Sequence, residues 1–261
     1  MTRSRLVSMV WMALPSIVSM ALLAACGGGT AAGPASSPSA KPAPVTVFKN
    51  TLPGQNASAP FDLIQMVLEF APGAATAKHI HPTPNVATVL EGAITVKLPD
   101  GDKTAQAGQT IVEPLNVPCL AMNAGSARAL MLATYPVAPG GSPSKSVAGE
   151  PAPAVPNKTL YRHVLQSAAL VGPYSVVQTE LQLAPGAQTP RHKHGGPGIV
   201  TVLDGQLTLL TGNEEKTYSA GDSFVETPDQ TLQAINRGSV PAMLAASFLL
   251  PDGAVLTTNV R

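Results

Sequence analysis

Two histidine pairs hold most of the chemistry in this sequence: His79-Ile80-His81 and His192-Lys193-His194. On a strand, residues i and i+2 project from one face, so each pair offers two imidazoles to a single metal ion. Two nitrogens alone hold a divalent ion weakly, and further donors are needed. Glu113 and Glu226 are candidates, because alternation places Glu113 on the strand face of Ile111 and Glu226 on that of Phe224. If those apolar neighbours point inward, so do the carboxylates, and burying an unpaired carboxylate is costly unless a metal, a ligand or a histidine relieves it. The other reading puts both glutamates at a solvated rim. His163 stands alone beside Tyr161 and Arg162 and reads as surface or structural. Other chemistries find less support: Cys119 could act as a nucleophile only with His79 or His81 as base, no third orienting group can be named, and no phosphate-cradling glycine loop is present.

The elements that must position these residues repeat. Ala71-Pro72-Gly73-Ala74 recurs as Ala184-Pro185-Gly186-Ala187, and Thr88-Val89-Leu90-Glu91-Gly92 as Thr201-Val202-Leu203-Asp204-Gly205, at the same 113-residue offset that separates the histidine pairs. Asn123 and Asn236 keep that offset and are expected to fix a turn through backbone hydrogen bonds. Each copy reads as short strands of about four to seven residues, such as 87–90, 93–98 and 110–113, divided by Gly, Asp and Pro turns. Gly92 and Gly205 fall where a strand turns back and positive φ is useful. One such sheet alone leaves an apolar face and two edges exposed, and closure into a barrel or two-sheet roll removes both problems. Gln65 and Gln178 recur on the strand before the histidines, either lining a cavity or exposed.

The two copies resemble the cupin superfamily, whose first motif is Gly, five residues, His-x-His, three or four residues, Glu, six residues, Gly. Here it falls on Gly73, His79, His81, Asn85 and Gly92, and on Gly186, His192, His194, Gly198 and Gly205; the Glu is absent in both. The second motif falls on Gly108, Pro114, Asn116, Cys119 and Asn123, and on Gly221, Thr227, Asp229, Leu232 and Asn236; its His is absent in both. The resemblance implies an all-β protein of two tandem cupin (double-stranded β-helix, or jelly-roll) barrels, with the histidines facing the interior. It implies a divalent metal as cofactor, a small organic molecule as ligand, and oxygenase, decarboxylase or isomerase chemistry; homo-oligomerisation is compatible with it. In the first copy Asn85 and Cys119 stand where the missing ligands belong, and two nitrogens with a sulfur favour copper or zinc over the harder manganese, with iron left open. Cys119 as a buried structural thiol is the alternative. Glu113 and Glu226 would replace the missing acid from a different strand. The other functional readings are a non-catalytic small-molecule or metal-binding envelope lipoprotein, and a structural envelope protein that keeps the histidines as relics.

The start of the chain reads as a targeting segment. Arg3 and Arg5 precede an apolar stretch, and Leu23-Ala24-Ala25-Cys26 ends it, as in a bacterial lipoprotein signal over residues 1–25 with Cys26 acylated. An uncleaved membrane anchor is the alternative. Both place the rest of the chain outside the cytoplasm, in the cell envelope. If Cys26 carries lipid, Cys119 has no disulfide partner, since the chain has only two cysteines. Residues 26–44 form a flexible tether: after Cys26 they are Gly, Ala, Ser, Thr and Pro with Lys41 as sole charge. Residues 137–157, with five prolines, separate an N-terminal barrel at 45–136 from a C-terminal one at 158–256. A net charge of +1 with only 12% charged residues shows no basic patch and argues against a nucleic-acid partner.

Overall fold

The run Phe61–Phe70 is buried along nearly its whole length, unlike the alternating pattern of a sheet with one wet face. The computed structural model, which describes residues 41–260 except 58, 59, 84, 169, 171 and 229, explains why. Each repeat forms a five-stranded antiparallel sheet, and each sheet has apolar partners on both faces. Ile64 and Leu68 point into the N-terminal barrel core with Val89, Ile94, Val96 and Met131. Leu63 and Val67, on the other face, meet side chains of the second repeat, among them Tyr174, Ile199, Leu249 and Ala245. The C-terminal barrel has its own core around Val202, Leu207, Leu232 and Leu244. The fold is all-β, with two tandem barrels; among the described residues there is no helix, and none long and apolar enough to cross a membrane.

The large sheets cross the division that the repeat suggests. The N-terminal sheet runs Lys158–Ala168, Phe61–Phe70, Ala129–Val137, Val86–Glu91, Thr110–Ile111, and the C-terminal sheet Val45–Ala57, Gly172–Leu183, Ala242–Pro251, Gly198–Asp204, Ser223–Glu226. Each repeat thus gives its first strand to the other repeat's sheet. These exchanged strands, 11 and 13 residues long, exceed the short strands expected, and both accommodate their length with register shifts.

Each barrel is closed by a smaller sheet that carries the histidines. In the C-terminal barrel its order is Glu214–Ser219, Gln206–Thr211, Leu232–Ile235, His192–His194, Thr257–Asn259. In the N-terminal barrel Lys103–Gln106, Ala93–Lys97 and Leu120–Met122 form a sheet, and His79–Ile80 pairs with Lys145–Ser146. Segment 137–157 therefore contributes a strand beside the histidines, and residues 257–259 do the same beyond position 256. Of the expected tether, Lys41 donates to Gln188 and the Pro42 carbonyl accepts from the Gln188 amide; the signal segment, Cys26 and the tether up to residue 40 lie outside the described residues. Gly92 and Gly205 have φ of 74° and 72°, and a Cβ on either would collide with the backbone opposite. Asn123 and Asn236 bridge matching carbonyls, those of Phe70 and Ala127 and of Leu183 and Val240.

Candidate metal centre

His79 and Cys119 face each other across a two-way backbone pair, each amide donating to the other's carbonyl at 2.9 Å. Directly opposed residues share a face, so this register aims the thiol at the imidazole, with Sγ 3.8 Å from Nε2. His81, two residues on, brings its Nε2 to 2.9 Å from the His79 Nε2. Glu113 follows the short strand Thr110–Ile111 and is 3% exposed; its carboxylate lies 2.8 Å from the His81 Nε2. Asn85 donates its side-chain amide to the same carboxylate. The donor atoms of His79, His81, Glu113 and Cys119 all lie within 4.8 Å of one another.

The tautomers follow from the hydrogen bonds. The His79 Nδ1 lies 2.8 Å from the Ala77 carbonyl and the His81 Nδ1 2.7 Å from that of Pro143. A carbonyl oxygen only accepts, so both Nδ1 atoms carry protons and each ring turns its Nε2 toward the other. Two imidazole nitrogens and a carboxylate converging on one point repel unless a proton or a metal ion sits among them, and a carbonyl that fixes the outer nitrogen is the usual support of a metal-bound histidine. Ring orientation is held further by Tyr135, stacked on His81 at 5.3 Å.

Electrostatics agree with the geometry. Burial holds the His79 imidazole below its ordinary pKa, which keeps the ring neutral and its lone pair free; the Ala77 hydrogen bond and the Glu113 charge only partly oppose this. Burial pushes Glu113 up, but a proton on the histidine pair, through the hydrogen bond from His81 and its charge, together with the Asn85 amide brings it below its usual value, so it is ionised and that proton holds the place a metal ion would take. Cys119 is pushed up to about 12, first by burial and then by the Glu113 charge. Its thiol is neutral without a metal and ionises only if a cation replaces its proton.

The C-terminal barrel repeats the frame with fewer donors. His192 and His194 turn their Nδ1 protons to the carbonyls of Pro190 and Leu256, and their Nε2 atoms are 3.2 Å apart. Burial lowers the His192 pKa as it does that of His79. Glu226 reaches His194 at 3.0 Å. Leu232 is paired with His192 where Cys119 pairs with His79, and Gly198 stands in place of Asn85 because the Phe248 ring, stacked on His194 at 4.3 Å, occupies the space of a side chain there. A cavity of about 570 Å³ opens beside these residues, lined also by Phe224, Leu244 and Val200.

The expected site residues thus divide. His79, His81, Glu113 and Cys119 come together, as do His192, His194 and Glu226, and both glutamates are buried, not at a solvated rim. Asn85 acts on the Glu113 carboxylate and is fully buried. Gln65 and Gln178 require correction as cavity-lining residues: they lie on the outward face of their strands, between the two large sheets. Gln178 donates to Thr134 and to the Val86 and Leu132 carbonyls and accepts from Thr88; Gln65 donates to Ser247 and the Ile199 carbonyl and accepts from Thr201. His163, whose repeat partner is Asn50, is half-buried on the exchanged strand. Asp229 lies outside the described residues. The carbonyls of Pro143 and Leu256 were invisible in the sequence, since any residue type supplies one.

Comparison with protein families matches the cupin domain twice, at residues 66–135 and 179–248. No curated protein matches the chain. Among solved structures, AerE from Microcystis aeruginosa aligns with a TM-score of 0.51 at 18% identity, over 80% of this chain and 98% of that one. A variant of Bacillus subtilis oxalate decarboxylase aligns at 0.57 and 12% identity, over 83% and 80%. Lactobacillus farciminis oxalate decarboxylase in complex with formate aligns at 0.53 and 12%, over 77% and 80%. At these identities the likeness is one of fold.

Proposed function

Because the chain belongs to the cupin family through two copies of its domain, we propose that it is an exported bicupin that holds a divalent metal ion in its N-terminal barrel and binds a small organic molecule. The observation that carries this reading is the pair of Nε2 atoms 2.9 Å apart, each ring backed by a carbonyl at Nδ1, with a carboxylate and a thiol beside them. His79, His81, Glu113 and Cys119 would hold the ion, and a set of two nitrogens, one oxygen and one sulfur suits zinc or copper. When bound, such an ion supplies Lewis acidity or, for copper, oxygen activation, in line with oxygenase, decarboxylase or isomerase chemistry. Asn85 orients the Glu113 carboxylate, the two carbonyls fix the imidazoles, and the barrel wall excludes bulk water.

A second reading, a non-catalytic metal-binding lipoprotein, is favoured by Cys119 itself. Four protein donors complete a tetrahedral shell, which is the arrangement of structural sites, whereas catalytic sites keep a position open. Export rests on the residues from Arg3 to Cys26, with acylated Cys26 as anchor to the envelope membrane; fatty-acid labelling that persists in Cys26→Ser would contradict it. Elemental analysis of the full chain tests the metal centre. We expect about one ion per chain, lost in the His79→Ala/His81→Ala double variant and kept in His192→Ala/His194→Ala. A stoichiometry of zero after reconstitution with iron, copper, zinc and manganese removes the proposal. Turnover assays on the loaded chain and on Cys119→Ala then separate the two readings: an activity present in either favours catalysis.

A further inference from the structure

The C-terminal barrel keeps a cavity of about 570 Å³, within the range that takes one small organic molecule. Most of its wall is apolar: Leu181, Val200, Phe224, Leu244 and Phe248. Two of the polar groups on that wall that lack a protein partner matter most here. Thr179 is 5% exposed, and its buried hydroxyl makes no hydrogen bond. Lys49, at the exposed mouth, is the only lysine or arginine among the described lining residues, and it takes part in none of the ion pairs or side-chain hydrogen bonds found among the described residues.

These two are neighbours by construction. Lys49, on the exchanged strand Val45–Ala57, lies directly opposite Thr179 in the antiparallel ladder, so their side chains leave the same face with Cβ atoms about 5 Å apart. An ammonium and a hydroxyl side by side offer two donors to two oxygens of one planar anion. Farther along the same cavity Glu226 presents a carboxylate, which repels a second negative charge on the occupant. In the N-terminal barrel the position equivalent to Thr179 is Met66, so the pairing of cation and hydroxyl is confined to one barrel.

We propose that the C-terminal cavity binds an apolar monocarboxylate, with its carboxylate between Lys49 and Thr179 and its hydrocarbon body against Phe224 and Phe248. This deepens the small-molecule reading above and rests on it, but uses no metal donor of the N-terminal barrel.

Calorimetric titration of the full chain with 3-phenylpropanoate and with its neutral analogue 3-phenylpropanamide, both in excess EDTA, tests the inference. The acid is expected to bind at least about tenfold more tightly than the amide, and Lys49→Met to reduce the acid to the affinity of the amide. Thr179→Val is expected to weaken the acid about threefold or more while leaving the amide less affected. Ala246→Phe, which fills the cavity, is expected to abolish binding of both, with thermal unfolding as the check that it folds. Equal binding of acid and amide, an unchanged affinity in the surface variant Lys49→Met, no binding of the acid, or binding that persists in folded Ala246→Phe would each overturn the proposal. EDTA makes the outcome independent of the metal centre, whose failure shows only in metal stoichiometry.

Discussion

Replacing Cys119 by serine should change the number of protons released when the metal binds. The thiol is pushed up to about 12 by burial and by the Glu113 charge, so at pH 7 it is neutral, and ionising it costs about 7 kcal/mol at about 1.4 kcal/mol per pH unit. A thiolate ligand recovers that cost through its bond to the ion, and the proton leaves to the buffer. Zinc binding to the wild-type chain is therefore expected to release one proton more than binding to Cys119→Ser, whose hydroxyl stays protonated. The wild-type affinity should also rise about tenfold more steeply per pH unit than that of the variant across the range below 12. Isothermal titration in buffers of different ionisation enthalpy reads the proton count directly. Equal proton release from the two proteins would mean that the thiol keeps its proton beside a bound ion, and Cys119 as fourth donor would be refuted.

Three further outcomes follow from the same structure. Glu180 is 6% exposed between the sheets, where its repeat partner is Val67, and burial pushes its carboxyl up to about 7. A raised carboxyl favours the folded state below its ordinary pKa and loses that contribution as pH rises through about 7, so Glu180→Val should stabilise the protein at pH 8 by about 1–2 kcal/mol after solvent screening, and by less at pH 5; an equal gain at both pH values in denaturant unfolding would contradict this. Gln178→Leu leaves Thr88, Thr134 and two carbonyls short of partners, and should cost about 2–4 kcal/mol in the same assay, with a loss below about 1 kcal/mol as the contrary result. Gly205→Ala must hold a φ of 72° against the Pro241 carbonyl, and should destabilise by about 1–3 kcal/mol, whereas an unchanged unfolding midpoint would show that the turn relaxes freely.

The repeat at a fixed offset, the barrel architecture and the shared face of His79 and His81 were legible because each depends on residue type and period, whereas the sequence left Glu113 open between the histidines and a solvated rim, since alternation alone does not fix which face is inward. The exchange of first strands was not legible. Residues 45–57 and 158–168 occupy equivalent places at the 113-residue offset, and strand periodicity reports which face is buried, not which sheet the strand joins. Gln65 and Gln178 were misplaced for a related physical reason. A polar residue on a strand whose alternate positions are apolar implies an outward face, but here the outward face is covered by the other barrel, and the amides are held in a buried network whose two halves join where Thr134, bonded to Gln178, meets Ser247, its own repeat partner and bonded to Gln65, at 2.7 Å. Lys49 and Thr179 left no trace in sequence, since their proximity arises from the exchange.

X-ray absorption at the zinc edge of the chain loaded with one equivalent of zinc tests the central claim most directly. His79, His81, Glu113 and Cys119 predict a four-coordinate shell with one sulfur at about 2.3 Å and three nitrogen or oxygen atoms at about 2.0–2.1 Å. A shell without sulfur, or the same sulfur-containing shell in Cys119→Ser, would contradict it.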